Sequence, residues 1–541
     1  MTMWLVTVVL VVGTAAEQTA PWWNSAVYYR VLVDSFKDGD GDGLGDLQGA
    51  TKQMSYVRAL GADAIILSPL STKSPDCTKP GTVDLGGIDQ RYGGLDAFSQ
   101  FLEKAKTLEL KVVSTLDLQT TSAASEWFTS SANRVNGFED WFLWADGTPE
   151  QPPELEPGID QWTYHEDRKA FFATRNNASI LNLCSEGVAS ALASAQCAWL
   201  RRGVSGLVLN PDFKEQACEL KVLRKMVGEA MACARGSNLD TPAIIVETSL
   251  PPEQASQYYN DGSIGANSVI STALATATRS APQMAVNFYA DMLNAPQDGV
   301  PTWQTSSPSA NRITTRHGGD MVDAINLLNL VLPGSSIIQQ GDELGSADTI
   351  LEWATSDTCF PSQPLPSSAP FPWDDTANAG FTAGTPWLPL APNYRYANAK
   401  TQFVNDGSHV GVVRVAAAMR KSPAIGPHAE IKRLGDAIAV LRWGGTGALL
   451  VVSNVGKSQT EAQLSSVPGL PAEMTVAASS AGSGFSTGSH VKLEKPVRLG
   501  PGETVLLAGA PRHCGGPGPV DKIANKLNEG WQKINKYFSN I

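Results

Sequence analysis

Long apolar runs are missing from this 541-residue chain. Beyond the N-terminal stretch Leu5 to Val12, no segment reaches the eighteen or so consecutive apolar residues of a membrane helix, which excludes a later transmembrane span. The first run is itself too short to cross a bilayer. It ends in Gly13-Thr14-Ala15-Ala16 and is expected to be a cleaved secretory signal peptide over residues 1–16, although its start lacks Lys and Arg. Bases are scarce as well, 41 against 53 acids, and the net charge of −12 disfavours phosphate backbones and anionic bilayers, so nucleic acid is excluded as a partner. There is no low-complexity tract, and 42% apolar with 17% charged residues describes a globular chain. The seven cysteines (Cys77, Cys184, Cys197, Cys218, Cys233, Cys359, Cys514) include no close metal-type pair, which argues against zinc. In a secreted chain they imply one or more disulfides, with one thiol left free or paired between molecules. Cys77, after Pro75-Asp76, and Cys514, in a Gly-rich tail, are the ones expected at the surface. The sequon Asn177-Ala178-Ser179 fits a glycosylated surface loop.

What is present from Ala26 onward is an alternation of short β-branched runs with longer helical patterns, the mark of repeated β-α units on a parallel sheet. The clearest strands are 28–33, 62–67, 111–116, 206–209, 243–246 and 336–339. Helical stretches between them include 94–108, 187–200, 214–235 and 320–332. Eight such units make a (β/α)₈ barrel, expected over 17–116 and 185–424, with functional residues at the C-terminal strand ends. Residues 117–184, with Pro152-Pro153 and many Trp and Phe, read as a subdomain inserted after the third strand. Residues 346–396 read as a Pro- and Ser-rich excursion after the eighth. Residues 425–511 are expected to form an all-β domain, a β-sandwich. The Gly515-Gly516-Pro517-Gly518-Pro519 hinge falls within 512–541. After it, Val520, Ile523, Ala524, Leu527, Trp531, Ile534, Tyr537 and Phe538 recur at helical spacing, so this amphipathic helix is expected to dock on the protein itself or on a partner.

Asp38-Gly39-Asp40-Gly41-Asp42-Gly43-Leu44-Gly45-Asp46 is an oxygen-rich loop. Asp38, Asp40, Asp42, the backbone carbonyl of Leu44, and Asp46 can converge on one hard cation, and the glycines permit the tight turn. This loop follows Pro21-Trp22-Trp23 and Tyr28-Tyr29-Arg30-Val31-Leu32-Val33-Asp34-Ser35-Phe36-Lys37. Together with Leu332-Pro333-Gly334, the 340–345 segment and the 371–381 segment, these motifs resemble the insect maltases of the α-amylase superfamily, glycoside hydrolase family 13. The resemblance runs from about Pro21 to Gly509. It implies a structural Ca²⁺ in the acidic loop, since the hydrolysis itself needs no metal.

Retaining glycoside hydrolysis needs two carboxylates about 5–5.5 Å apart, one to attack the anomeric carbon and one to protonate the leaving oxygen. The resemblance places Glu247 at the acid/base position. The nucleophile position is Asn210, in Gly206-Leu207-Val208-Leu209-Asn210-Pro211, and a neutral amide cannot form the glycosyl ester. The Arg that orients the nucleophile is replaced by Val208. A sugar-binding His corresponds to Ser122, and the third carboxylate, which grips the distorted sugar, corresponds to Ser309. Arg312 and Asp84 are retained at sugar-binding positions, although the stacking Tyr beside Asp84 is Val83. The expectation is a secreted, catalytically defective maltase homologue kept for folding, binding or assembly, with α-glucosides or a protein as its partner. One alternative is an active α-glucosidase in which Asp212 or Glu215 compensates. Another is an ectodomain like the heavy chains of amino-acid transporters, against which stands the missing N-terminal span.

Overall fold

The computed structural model describes residues 20–211, 218–260, 264–296, 299–354, 365–426, 428–467 and 470–509. The expected signal peptide, Asp212, Glu215, Cys359, Cys514 and the 512–541 hinge and helix lie outside these residues.

Eight parallel strands close into a barrel in chain order: β1 (Val27–Val31), β2 (Ala64–Leu67), β3 (Lys111–Asp117), β4 (Gly206–Asn210), β5 (Ala243–Glu247), β6 (Ser268–Ser271), β7 (Val300–Gln304) and β8 (Ser335–Gln339). The (β/α)₈ expectation therefore holds. Strands β1, β2 and β8 are buried along their whole length, because helices cover one side and the lumen fills the other. The lumen packs Ala26, Tyr28, Ala64, Ile66, Val113, Val208, Ile245, Ile270 and Ile337 into one apolar cluster, a core and not a pore. Strands β6 and β7 had not stood out in the sequence. Their Ser268 and Thr302 break the apolar run, yet these hydroxyls lie inside the barrel and bond each other, so burial is satisfied without apolar side chains.

The first barrel helix, Leu47–Leu60, begins where the Asp46 carboxylate accepts from the Gly49 amide and ends at Gly61, whose φ of 100° is the left-handed geometry glycine adopts freely. Two disulfides, Cys184–Cys218 and Cys197–Cys233, tie the Glu186–Arg202 and Glu219–Gly236 helices together. With closed loops of 34 and 36 residues, chain entropy assigns each about 4 kcal/mol of stabilisation. Cys77 is exposed, as expected, and is also disulfide-bonded.

Between β3 and the Glu186–Arg202 helix lies an antiparallel sheet of Thr120–Thr121, Ala178–Ile180, Ala170–Arg175 and Trp144–Asp146, with Gln161–His165 paired to Ala170–Arg175. Among the described residues the C-terminal module is a six-stranded antiparallel sheet with a separate two-stranded ribbon. One sheet face, including Ile438, Val440, Val451 and Leu506, joins the barrel's own core, beside the fully buried Val322–Val331 helix. On the other face, residues of the ribbon and its flanks, Ala462, Leu464, Leu493, Val497 and Leu499 among them, form a second core with the sheet.

Candidate functional site

Alternate residues of a strand face the same way, so the apolar lumen side chains dictate which residues stand above them at the C-terminal rim. Arg30 stands above Tyr28, Asn210 above Val208, Glu247 above Ile245, and Gln304 and Gln339 above Thr302 and Ile337. Asp117, in register with Asn210, completes a polar layer on the apolar plug.

Two networks organise that layer. In the first, Arg30 is only 4% exposed and its Nη1 lies 2.8 Å from Glu247 Oε1 and 3.3 Å from Gln304 Oε1. Its Nε and Nη2 are buried without a hydrogen-bond partner among the described residues. In the second, Gln119 Nε2 donates to Asn210 Oδ1 at 2.8 Å, while Gln119 Oε1 accepts from Arg175 Nη1 at 2.7 Å. Asp117 accepts from the Gln119 amide at 2.9 Å and from the Thr120 hydroxyl at 3.0 Å. Burial lowers the Lys73 ammonium below its ordinary pKa, and the charges of Asp117 and Asp34 act against that shift. The rim of the barrel is thus lined by charges and amides, of which Arg30 Nη1, Glu247, Asn210 and Gln119 pair with one another or with their neighbours.

The other expected positions are dispersed. Val208 is fully buried in the lumen cluster directly beneath Asn210. Ser122 is fully buried and acts in a turn: its hydroxyl donates to Lys79 O at 2.5 Å and accepts from the Ala124 amide. Ser309 is exposed on the loop after β7, 3.2 Å from the Ser307 hydroxyl. Asp84, exposed at a hairpin end, accepts from the Gly86 amide at 2.9 Å and interacts electrostatically with Arg202. Arg312 is 1% exposed; its Nη1 donates to the Gln340 carbonyl and lies 3.7 Å from Asp342, so it braces the β8 terminus, while its Nε is buried without a hydrogen-bond partner among the described residues. Sequence reasoning missed Arg30, Gln119 and Arg175. For Arg30 a signal existed: it is two residues from Tyr28, so a lumen-facing Tyr28 makes it lumen-facing as well.

In the acidic loop, carboxylate oxygens of Asp38, Asp40 and Asp42 lie within 4.8 Å of one another. The loop is shaped by its own amides: Asp38 accepts from the backbone N–H of Asp40, Gly41 and Gly43 and from the Thr382 hydroxyl. Asp46 is committed differently, with one oxygen on the Gly39 amide and the other on Gly49, both at 2.7 Å. Burial first, then the charges of Asp40, Asp38 and Asp46, raises the Asp42 carboxyl above its ordinary value. Asn177 is exposed in the turn between Ala170–Arg175 and Ala178–Ile180, where Asn176 and Asn177 both take positive φ, 49° and 61°. Beside that turn is a cavity of about 730 Å³ whose walls include Lys79, Phe128, Gln161, His165 and Phe172.

The family model described as "Alpha amylase, catalytic domain" matches residues 30–211 and 255–426. Maltase 1 of Drosophila virilis is 27% identical, over 90% of this chain and 86% of that protein. An amino acid transporter heavy chain of Rattus norvegicus is 24% identical over 72% of this chain and 63% of its own length. Among solved structures, that of the alpha-glucosyl transfer enzyme XgtA superposes with a TM-score of 0.75 at 25% identity, covering 90% of this chain and 99% of that one.

Proposed function

Because this chain belongs to the alpha-amylase catalytic-domain family, we propose that it is a maltase-type barrel that has lost glycoside hydrolysis and now serves in binding or assembly outside the cell. The observation that carries this reading is the state of the two positions where the chemistry would occur. Asn210 offers a neutral amide in place of an attacking carboxylate, and that amide is already held by Gln119. Glu247, the acid/base carboxylate, has Oε1 engaged by Arg30. Retaining hydrolysis needs one carboxylate free to attack the anomeric carbon and a second free to protonate the leaving oxygen. Ser309, exposed on the rim, supplies no charge to grip the distorted sugar.

Two further parts of the proposal concern stability and compartment. The acidic loop fits a Ca²⁺ ion: its three clustered carboxylates and the Leu44 carbonyl are hard oxygen donors, and their mutual repulsion is what a divalent cation relieves. Asp38, Asp40, Asp42 and Leu44 would hold it, with Asp46 anchoring the loop to the helix. The disulfides and the exposed Asn177 sequon support passage through a secretory pathway with glycosylation there.

The test is direct. Purified mature protein is assayed against maltose, sucrose and nitrophenyl α-glucoside, and a blind screen of glycans and candidate partner proteins is run in parallel. Hydrolysis at background level is expected. Turnover that disappears in Glu247→Gln would overturn the reading and restore the α-glucosidase alternative.

A further inference from the structure

The Ala281–Asn294 helix lies on the barrel surface without a single exposed charge. Its inner face, Ala281, Met284, Ala285 and Phe288, is buried. Its only ionisable carboxylate, Asp291, is turned to the Ser271 hydroxyl at 2.8 Å. The opposite face of a helix that met only water would be polar. Instead Val286, Tyr289 and Leu293 stand there, 61%, 43% and 81% exposed. Their spacing of i, i+3 and i+7, with Ala290 beside them, is the stripe by which one helix packs on another. Single exposed apolar residues need no account, whereas a contiguous row marks an interaction surface.

The same chain carries a matching stripe. The described residues end at Gly509, which pairs with Ala448 on an interior strand of the C-terminal sheet. Three strand spacings away in that sheet is His428–Leu434, a lateral distance of about 14 Å. That strand touches the helix directly, because the Tyr289 hydroxyl donates to the Ile431 carbonyl. Residues 510–519 span at most about 36 Å when extended, so they bridge the gap with slack. Next in the sequence come Val520, Ile523, Ala524, Leu527, Trp531, Ile534, Tyr537 and Phe538 at helical spacing, with Lys522, Lys526, Lys533 and Lys536 off that face.

We propose that residues 520–538 dock their apolar face on Val286, Tyr289 and Leu293 of the Ala281–Asn294 helix, as a latch that joins the C-terminal module back to the barrel. The lysines then face solvent. This assignment is independent of whether the barrel hydrolyses sugars.

Limited trypsin digestion of the full-length protein, read by mass spectrometry at Lys522, Lys526 and Lys533, tests the latch, together with hydrogen exchange of amides 286–293. Slow cleavage is expected in the unaltered protein. Val286→Asp with Leu293→Asp should accelerate it by about tenfold or more, the scale set by losing buried large apolar side chains. Leu527→Asp with Trp531→Asp should do the same and also speed exchange across 286–293, and this variant leaves the barrel untouched, so it remains informative even where the helix substitutions impair folding. The four substitutions combined should cleave no faster than either pair. Rapid cleavage of the unaltered protein would overturn the proposal. So would helix substitutions that leave a folded protein's cleavage unchanged, protection that grows with protein concentration, or protection that requires phosphatidylserine vesicles.

Discussion

The ion pair between Arg30 and Glu247 makes a quantitative prediction, because the two partners are buried to different degrees. The Arg30 side chain is 5% exposed and that of Glu247 is 22% exposed. Glu247→Leu leaves a guanidinium in the barrel with one remaining acceptor among the described residues, Gln304 Oε1 at 3.3 Å, and with its Nε and Nη2 nitrogens already unpartnered. Breaking a buried pair this way costs about 3–5 kcal/mol, and the partial exposure of Glu247 puts the value near the lower figure. Arg30→Met leaves a carboxylate that can turn toward water, so about 1–2 kcal/mol is expected. The double variant removes both charges where Tyr28, Ile66, Ile245 and Ile270 already form an apolar floor. It should return to within about 1 kcal/mol of the unaltered protein, since apolar replacement of a buried pair is often neutral. The readout is urea unfolding of the three variants at equal slope, compared as a double-mutant cycle. A double variant as unstable as the sum of the two singles would refute the claim that the charges are coupled inside the barrel.

Restoring Asn210→Asp alone should leave nitrophenyl α-glucoside hydrolysis at background, because the new carboxylate would have Val208 below it in place of an orienting Arg; strong activity in that variant would show an intact pocket. Restoring Val208→Arg, Asn210→Asp, Ser122→His and Ser309→Asp together should give at most trace turnover, since Ser122 is buried in a turn and catalytic geometry tolerates only about 0.5 Å of error. Chelator should lower the melting temperature through the acidic loop, Ca²⁺ at a hundred times its Kd contributing about 2.7 kcal/mol; a melt unchanged by chelator would remove the calcium assignment. Burial, with a smaller contribution from the Glu253 charge, raises the Asp291 carboxyl from 3.8 to about 6. The folded state therefore keeps a proton that the unfolded chain releases, and the stabilisation this gives is full below pH ~4 and lost as pH rises to ~6. Asp291→Asn should flatten that segment of the stability profile, and an unchanged slope between those pH values in urea titrations would reject the shift.

The amino-acid sequence by itself determined the architecture. Periodicities of 2 and 3.6 are local properties, and a run such as Ala243 to Val246 or Ala437 to Leu441 can be buried in only a few ways. It also determined which chemical groups are present: Asn210 is an amide, and Ser309 a hydroxyl, whatever surrounds them. The weak runs of β6 and β7 escaped notice because their polar lumen hydroxyls are satisfied by one another, across strands that are distant in the chain. The tertiary structure alone decided what each polar residue does. Arg30 and Glu247 are 217 residues apart, and Gln119 and Asn210 are 91 apart, so no local pattern could pair them. Arg312 kept its identity yet faces the carbonyl of Gln340. Barrel closure sets these partners, because it brings eight strand ends onto one ring and a buried charge must then find whichever complement that ring provides.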